Sequence, residues 1–288
     1  MLWWFLLPLF SLAWVESTAM PATPEMKVKQ LFAPLSRRGI PMFQGYTSGG
    51  ANETREMQKI REGFGDTVSV IGTLMNEVNF DLREKVAKKY FPIHGNSSTA
   101  SFAAWNMLAN MVSENVITQR KSHGLDGDLS PAVGDLRIIK EGSEKHARYC
   151  KDTSWSWMWP GTITFCESFL KAKQLHQTDC NDIGDKLKIA PAWAKAKDTD
   201  MSKAAVIIHG LSMYPPIAKP ILENFSICKN REVTGRGVNE TVDIATGPYG
   251  ARDLLKKPHP EKAFCNGDSY VWFVTELYLT YKCKRSFQ

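Results

Sequence analysis

Apolar residues recur at helical spacing in several stretches of this chain, and each stretch predicts a helix with one buried face. Between Arg55 and Met75 the stripe is Met57, Ile60, Phe64, Val68, Ile71 and Leu74, interrupted by Gly63, Gly65 and Gly72, and Asn52-Glu53-Thr54 offers its start. Leu82 to Tyr90 predicts a short helix ended by Pro92. From Ala100 to Ile117 a wide apolar face carries Phe102, Trp105, Met107, Leu108, Met111 and Val112, with Ser98 or Thr99 as its cap. In the last stretch, Tyr270 to Lys282, the residues Tyr270, Phe273, Val274, Leu277 and Tyr281 form a stripe facing a core. Asn266, Asp268 or Ser269 is expected to cap that helix, and Cys283 to pin its end. Leu136–Lys140 and Thr162–Phe165 read as short strands. Residues 20–50 hold Pro21, Pro24, Pro34, Pro41 and a terminal glycine pair, so they read as loop-rich. The pattern predicts an α+β fold, rich in helix with a few short strands.

The first fifteen residues, Met1 to Val15, form an uncharged apolar run followed by Ser17-Thr18-Ala19. The run is too short to span a bilayer comfortably, and small residues follow it, as in a secretory signal with cleavage near Ala19 or Ser17. Residues 1–19 are therefore expected to be a signal peptide, 20–50 a loop-rich segment and 51–288 a single domain. Cys150, Cys166, Cys180, Cys228, Cys265 and Cys283 all follow the signal, and an even number in an exported chain predicts three disulfides. Fifteen pairings remain open. Zinc-binding thiolates are disfavoured because no Cys-x-x-Cys occurs. Sequons at Asn52, Asn96, Asn224 and Asn239 fit a glycoprotein passing through a secretory route, and the expected localisation is extracellular.

The formal net charge is +6, and loss of Glu16 with the signal raises it to +7. Basic residues are interspersed with acids, so the excess does not predict nucleic-acid binding. No later segment is long and apolar enough for an integral membrane span. His123 to Pro131 is a turn-rich acidic surface loop without the glutamate and spacing of an EF-hand. Trp155, Trp157 and Trp159 alternate along an extended segment. They read as a hairpin or wall strand packed on the core and braced by Cys150 and Cys166, or else as a contact platform for sugars or a partner.

The candidate chemistry lies further on. Val206-Ile207-Ile208-His209-Gly210-Leu211-Ser212-Met213 has the frame of a His-Glu-x-x-His helix, in which two imidazoles share one helical face beside a carboxylate. About thirty residues later comes Thr241-Val242-Asp243-Ile244-Ala245-Thr246-Gly247, and then Asn266-Gly267-Asp268-Ser269-Tyr270. The order resembles the deuterolysin-like (aspzincin, lysine-specific metallo-endopeptidase-like) metallopeptidases of fungi. In that family a His-Glu-x-x-His helix precedes a Gly-Thr-x-Asp-x-x-Tyr-Gly segment and an Asn-Ala-Asp-Ser-Tyr helix start. The resemblance covers roughly Ile163 to Cys283.

The resemblance implies a zincin-like domain. Matched residue by residue, His209 falls on the first histidine ligand and Asp243 on the aspartate ligand. Gly210 falls on the catalytic glutamate, Met213 on the second histidine and Thr246 on the tyrosine. No catalytic set is intact, and His209 and Asp243 remain as remnant metal ligands. A zincin needs three protein ligands, an open position for water and a base. The expectation is therefore no resident cofactor, and a pseudoenzyme that binds an extracellular protein, peptide or glycan, in the manner of an effector or decoy. One alternative is an active zinc metalloendopeptidase with an atypical site, rescued by His176, Asp253 or His259, with Tyr214 or Tyr249 swinging in. The other is a secreted zinc carrier, for which the C-terminus lacks a histidine-rich tail.

Overall fold

A computed structural model describes residues 41–46, 51–118, 128–143, 150, 156–159, 161–181, 201–229 and 241–286. The expected signal peptide, Trp155 and Asn239 lie outside the described residues, as do 123–127 of the acidic loop. A compact unit runs from Arg37 to Gln288.

The predicted first helix is α1, Ala51–Glu77, and its glycines do not interrupt it. A Cβ on Gly63 would sit 2.7 Å from Phe169 Cζ and 2.9 Å from Ile207 Cδ1, so this glycine admits a close approach of the helix behind it. The second helix, α2, is Phe80–Ala87, capped by Asn79, whose side chain accepts from the Leu82 N–H at 2.9 Å. The third predicted helix is broken in two: α3 is Phe102–Met111 and α4 is Glu114–Thr118, separated by Val112 in extended conformation. Val112 bridges Leu129 instead. Neither Ser98 nor Thr99 caps α3. Buried Glu84 of α2 instead holds the two residues just ahead of α3, accepting from the Ala100 N–H at 2.8 Å, the Ser101 N–H at 3.0 Å and the Ser101 hydroxyl. A carboxylate suits the positive end of a helix.

The sheet holds four strands in the order β1-β2-β4-β3: β1 is Met42–Gln44, β2 Arg137–Ile139, β3 Ser156–Trp159 and β4 Thr162–Phe165. β1, β2 and β4 run parallel, and β3 returns antiparallel along β4. β1 falls within 20–50, the segment expected to be loop-rich. The tryptophan segment is the outer arm of the β3–β4 hairpin, with a Cys150–Cys166 disulfide beside it. After β4 comes α5, Glu167–Lys171.

Three helices build the centre. α6, Lys203–Ser212, packs between α1 and the long α9, Gly267–Cys283; α7, Pro215–Leu222, and α8, Gly247–Asp253, lie between α6 and α9 in sequence. Ser202 caps α6 by accepting from the Ala205 N–H at 3.2 Å. Buried Asp66 of α1 accepts from the N–H groups of Leu175, His176 and Ala204 at 2.7, 2.9 and 3.1 Å, tying α1 to the start of α6. α9 differs from its predicted stripe: every residue from Gly267 to Leu279 is buried, so it is a core helix rather than an amphipathic one. Its end is pinned by Cys180–Cys283, and Lys282 donates to the carbonyls of His176 and Thr178. The third disulfide, Cys228–Cys265, lies just ahead of α9. The fold is α+β and helix-rich, and among the described residues no helix is long and apolar enough to cross a membrane.

Candidate functional site

The C-terminal turn of α6, the 241–246 loop and the start of α9 are joined by hydrogen bonds. The Thr241 N–H donates to Ser212 O at 3.3 Å, and the hydroxyls of the same two residues lie 3.1 Å apart. The Val242 N–H donates to Cys265 O at 2.9 Å, and Val242 O accepts from the Gly267 N–H at 3.0 Å. Asn266 Oδ1 accepts from the N–H groups of Ile244 and Ala245, each at 3.0 Å, while its amide donates to Ser269 Oγ at 3.0 Å. The polar residues at the head of α9 were expected to cap it. Asn266 is the N-cap by position, but its oxygen is spent on the loop, and Asp268 Oδ2 accepts from the Gly247 N–H at the start of α8.

These bonds bring three donors together. His209 Nε2 lies 2.8 Å from Asp243 Oδ1 and 3.5 Å from Asp268 Oδ1. The side chains are 22%, 44% and 11% exposed for His209, Asp243 and Asp268 respectively. One donor atom from each falls within 4.8 Å of the others, and among the described residues this is the group of three or more such donors placed to hold a metal ion. Burial pushes the Asp268 carboxyl above the usual carboxylate range; His209 and the Gly247 N–H oppose this, and Asp243 adds to it. The packing is tight, since a Cβ on Gly267 would sit 3.0 Å from His209 Nε2 and 3.1 Å from Thr241 Oγ1.

The positions matched to the peptidase machinery are placed as follows. Gly210 is buried and faces β4 and β3: a Cβ there would lie 2.8 Å from Ile163 Cδ1 and 3.5 Å from Met158 Sδ. Met213 is the half-buried C-cap of α6, and Thr246 the exposed N-cap of α8. Tyr214 is buried, and burial, helped by Asp135, pushes its phenol up to about 12. Tyr249 is exposed.

The proposed rescuers stand outside the three-donor group. His176 Nδ1 is 2.7 Å from buried Asp66, Asp253 pairs with Lys256 and Lys257, and His259 is exposed ahead of the 260–265 turn. Asn96 is exposed; so is Asn224, whose amide donates to Pro220 O and Ile221 O, and Asn52 lies in α1.

By its place in the sequence Asp268 reads only as a helix cap. A signal was present nonetheless: Asn266-Gly267-Asp268-Ser269 places more polar groups ahead of an apolar run than one helix start uses.

No family model matches this chain, and no curated protein does. Among solved structures, a zinc peptidase from Grifola frondosa aligns over 79% of this chain and 96% of its own, with a TM-score of 0.40 and 14% identity. The α+β assignment stands on the elements of this chain itself.

Proposed function

We propose that this is a secreted, zincin-like protein that does not hydrolyse peptides and acts by binding an extracellular protein, peptide or glycan. The observation that carries the reading is Gly210. A water-activating carboxylate is needed one residue after the first histidine of such a helix, and this position has no side chain. The space its Cβ would occupy is crowded by Ile163 Cδ1, with Met158 in ordinary contact. Loss of a placed general base lowers turnover by about 10²- to 10⁴-fold.

Support for the scaffold comes from three motif segments, distant in sequence, that meet around His209 and Asp243. Export is supported by the apolar start of the chain and by three disulfides among the six cysteines. A role as effector or decoy fits a protein that keeps the motif segments without the residues of the reaction. The test is digestion of a casein-type substrate by the purified mature chain with added zinc. No chelator-sensitive hydrolysis is expected, and hydrolysis that is lost in His209→Ala overturns the reading.

A further inference from the structure

We propose that Asp268 joins His209 and Asp243 as the third donor of a divalent-cation site, in the place left by the imidazole that position 213 lacks. The proposal concerns the same site as the reading above and is compatible with it, because holding a cation does not supply the general base that position 210 lacks.

The donor geometry fits. A first-row cation with bonds of about 2.0–2.2 Å holds neighbouring ligand atoms roughly 3.0–3.6 Å apart. The two separations from His209 Nε2, 2.8 and 3.5 Å, lie near that range, and all three donor atoms fall within 4.8 Å of one another, so modest side-chain adjustment brings them round one ion. Two carboxylates with a neutral imidazole match a double positive charge. Asp268 is also oriented as ligating carboxylates are: Oδ2 accepts from the Gly247 N–H, and Oδ1 is turned to His209. The ring has little freedom to leave, because Gly267 packs against it so closely that a Cβ would reach 3.0 Å from Nε2.

One nitrogen and two oxygens make a harder set than two imidazoles and one carboxylate. Relative to the latter, the set shifts preference from Zn²⁺ toward Mn²⁺ and Co²⁺. Sequence alone supplied two ligands, which would hold a cation poorly; the fold supplies three.

The test is calorimetric titration of the metal-stripped, full-length mature protein with Zn²⁺, Mn²⁺ and Co²⁺ separately. The expected result is one equivalent bound, with affinity lowered at least tenfold in His209→Ala, Asp243→Asn and Asp268→Asn, and unchanged in Met213→Ala. Asp268→Asn keeps an acceptor for Gly247. Binding that survives Asp268→Asn, or no binding of any of the three cations at millimolar concentration, overturns the proposal. If Asp268→Asn does not fold, anomalous scattering from wild-type crystals grown with Mn²⁺ decides. A peak bonded to Asp268 supports the proposal, and a peak on His209 and Asp243 without Asp268, or none, overturns it. Because the readout is binding, hydrolysis by the wild type would sink the functional reading without touching this one.

Discussion

Gly210 and Ile163 meet so closely that a Cβ on the glycine would lie 2.8 Å from the isoleucine Cδ1. The residue beside the histidine is therefore small for a packing reason as well as lacking a base. Strand β4 presses on α6 at the residue after His209, and the two features reinforce one another.

Adding that Cβ should destabilise the protein. Alanine is favoured over glycine in a helix by about 1 kcal/mol, while overpacking a core costs about 1–3 kcal/mol. Gly210→Ala should therefore lose about 1 kcal/mol net by urea denaturation. Ile163→Val removes the offending methyl and should recover most of that loss in the double variant. Strict additivity of the two changes would show that the contact does not decide the matter.

Glu276 is buried in α9, where it receives Lys89 Nζ and Tyr90 OH, each at 2.6 Å, and Arg252. Removing the carboxylate leaves the cations facing a desolvated site, a loss of about 3 kcal/mol. Glu276→Ala should show it as a lowered urea midpoint. A change within 0.5 kcal/mol, an order-of-magnitude bound for surface substitutions, would mean that the network contributes nothing.

Cys228–Cys265 closes a loop of 37 residues directly ahead of Asn266, which holds the 241–246 loop. Replacing both cysteines by alanine should cost about 3–4 kcal/mol. Hydrogen exchange at the Val242 and Gly267 amides should rise with it, since both bonds flank the tethered segment. Unchanged protection there would separate the disulfide from the site.

Asp268 predicts a pH dependence. Burial raises its carboxyl above the unfolded value of about 3.9, so the folded state binds the proton more tightly. The stability this contributes is fully present below the unfolded value and is lost as pH rises through the raised one. In the presence of a chelator, Asp268→Asn should therefore gain on the wild type as pH rises from 3 to 7, each an approximate set point around those values. A difference that is flat or falls with pH would contradict the direction.

Much of the fold was legible because periodicity records which face is buried. Thr162–Phe165 is a strand with the predicted bounds, and the apolar patterns behind α1 and α9 mark real helices. What failed were features set by distant partners. Gly63 reads locally as an interruption but serves a contact with Phe169 and Ile207, and the entry to α3 is held by Glu84 from another helix. The break at Val112 and the strand at Met42–Gln44 likewise depend on partners far along the chain. At the site, His209 and Asp243 carried a motif that could be matched. Asp268 carried none as a ligand, because its role follows from where the Gly247 N–H and the His209 ring are placed.

We propose that a zincin-like frame is kept here without the groups that run peptide hydrolysis. The deciding assay sets zinc-supplemented wild type beside the variant Gly210→Glu/Met213→His/Thr246→Tyr/Ile163→Val, in which the valine removes the methyl nearest the new side chain. Chelator-sensitive hydrolysis of a casein-type substrate is expected of the variant and not of the wild type. Chelator-sensitive hydrolysis by the wild type, abolished in His209→Ala, would contradict it.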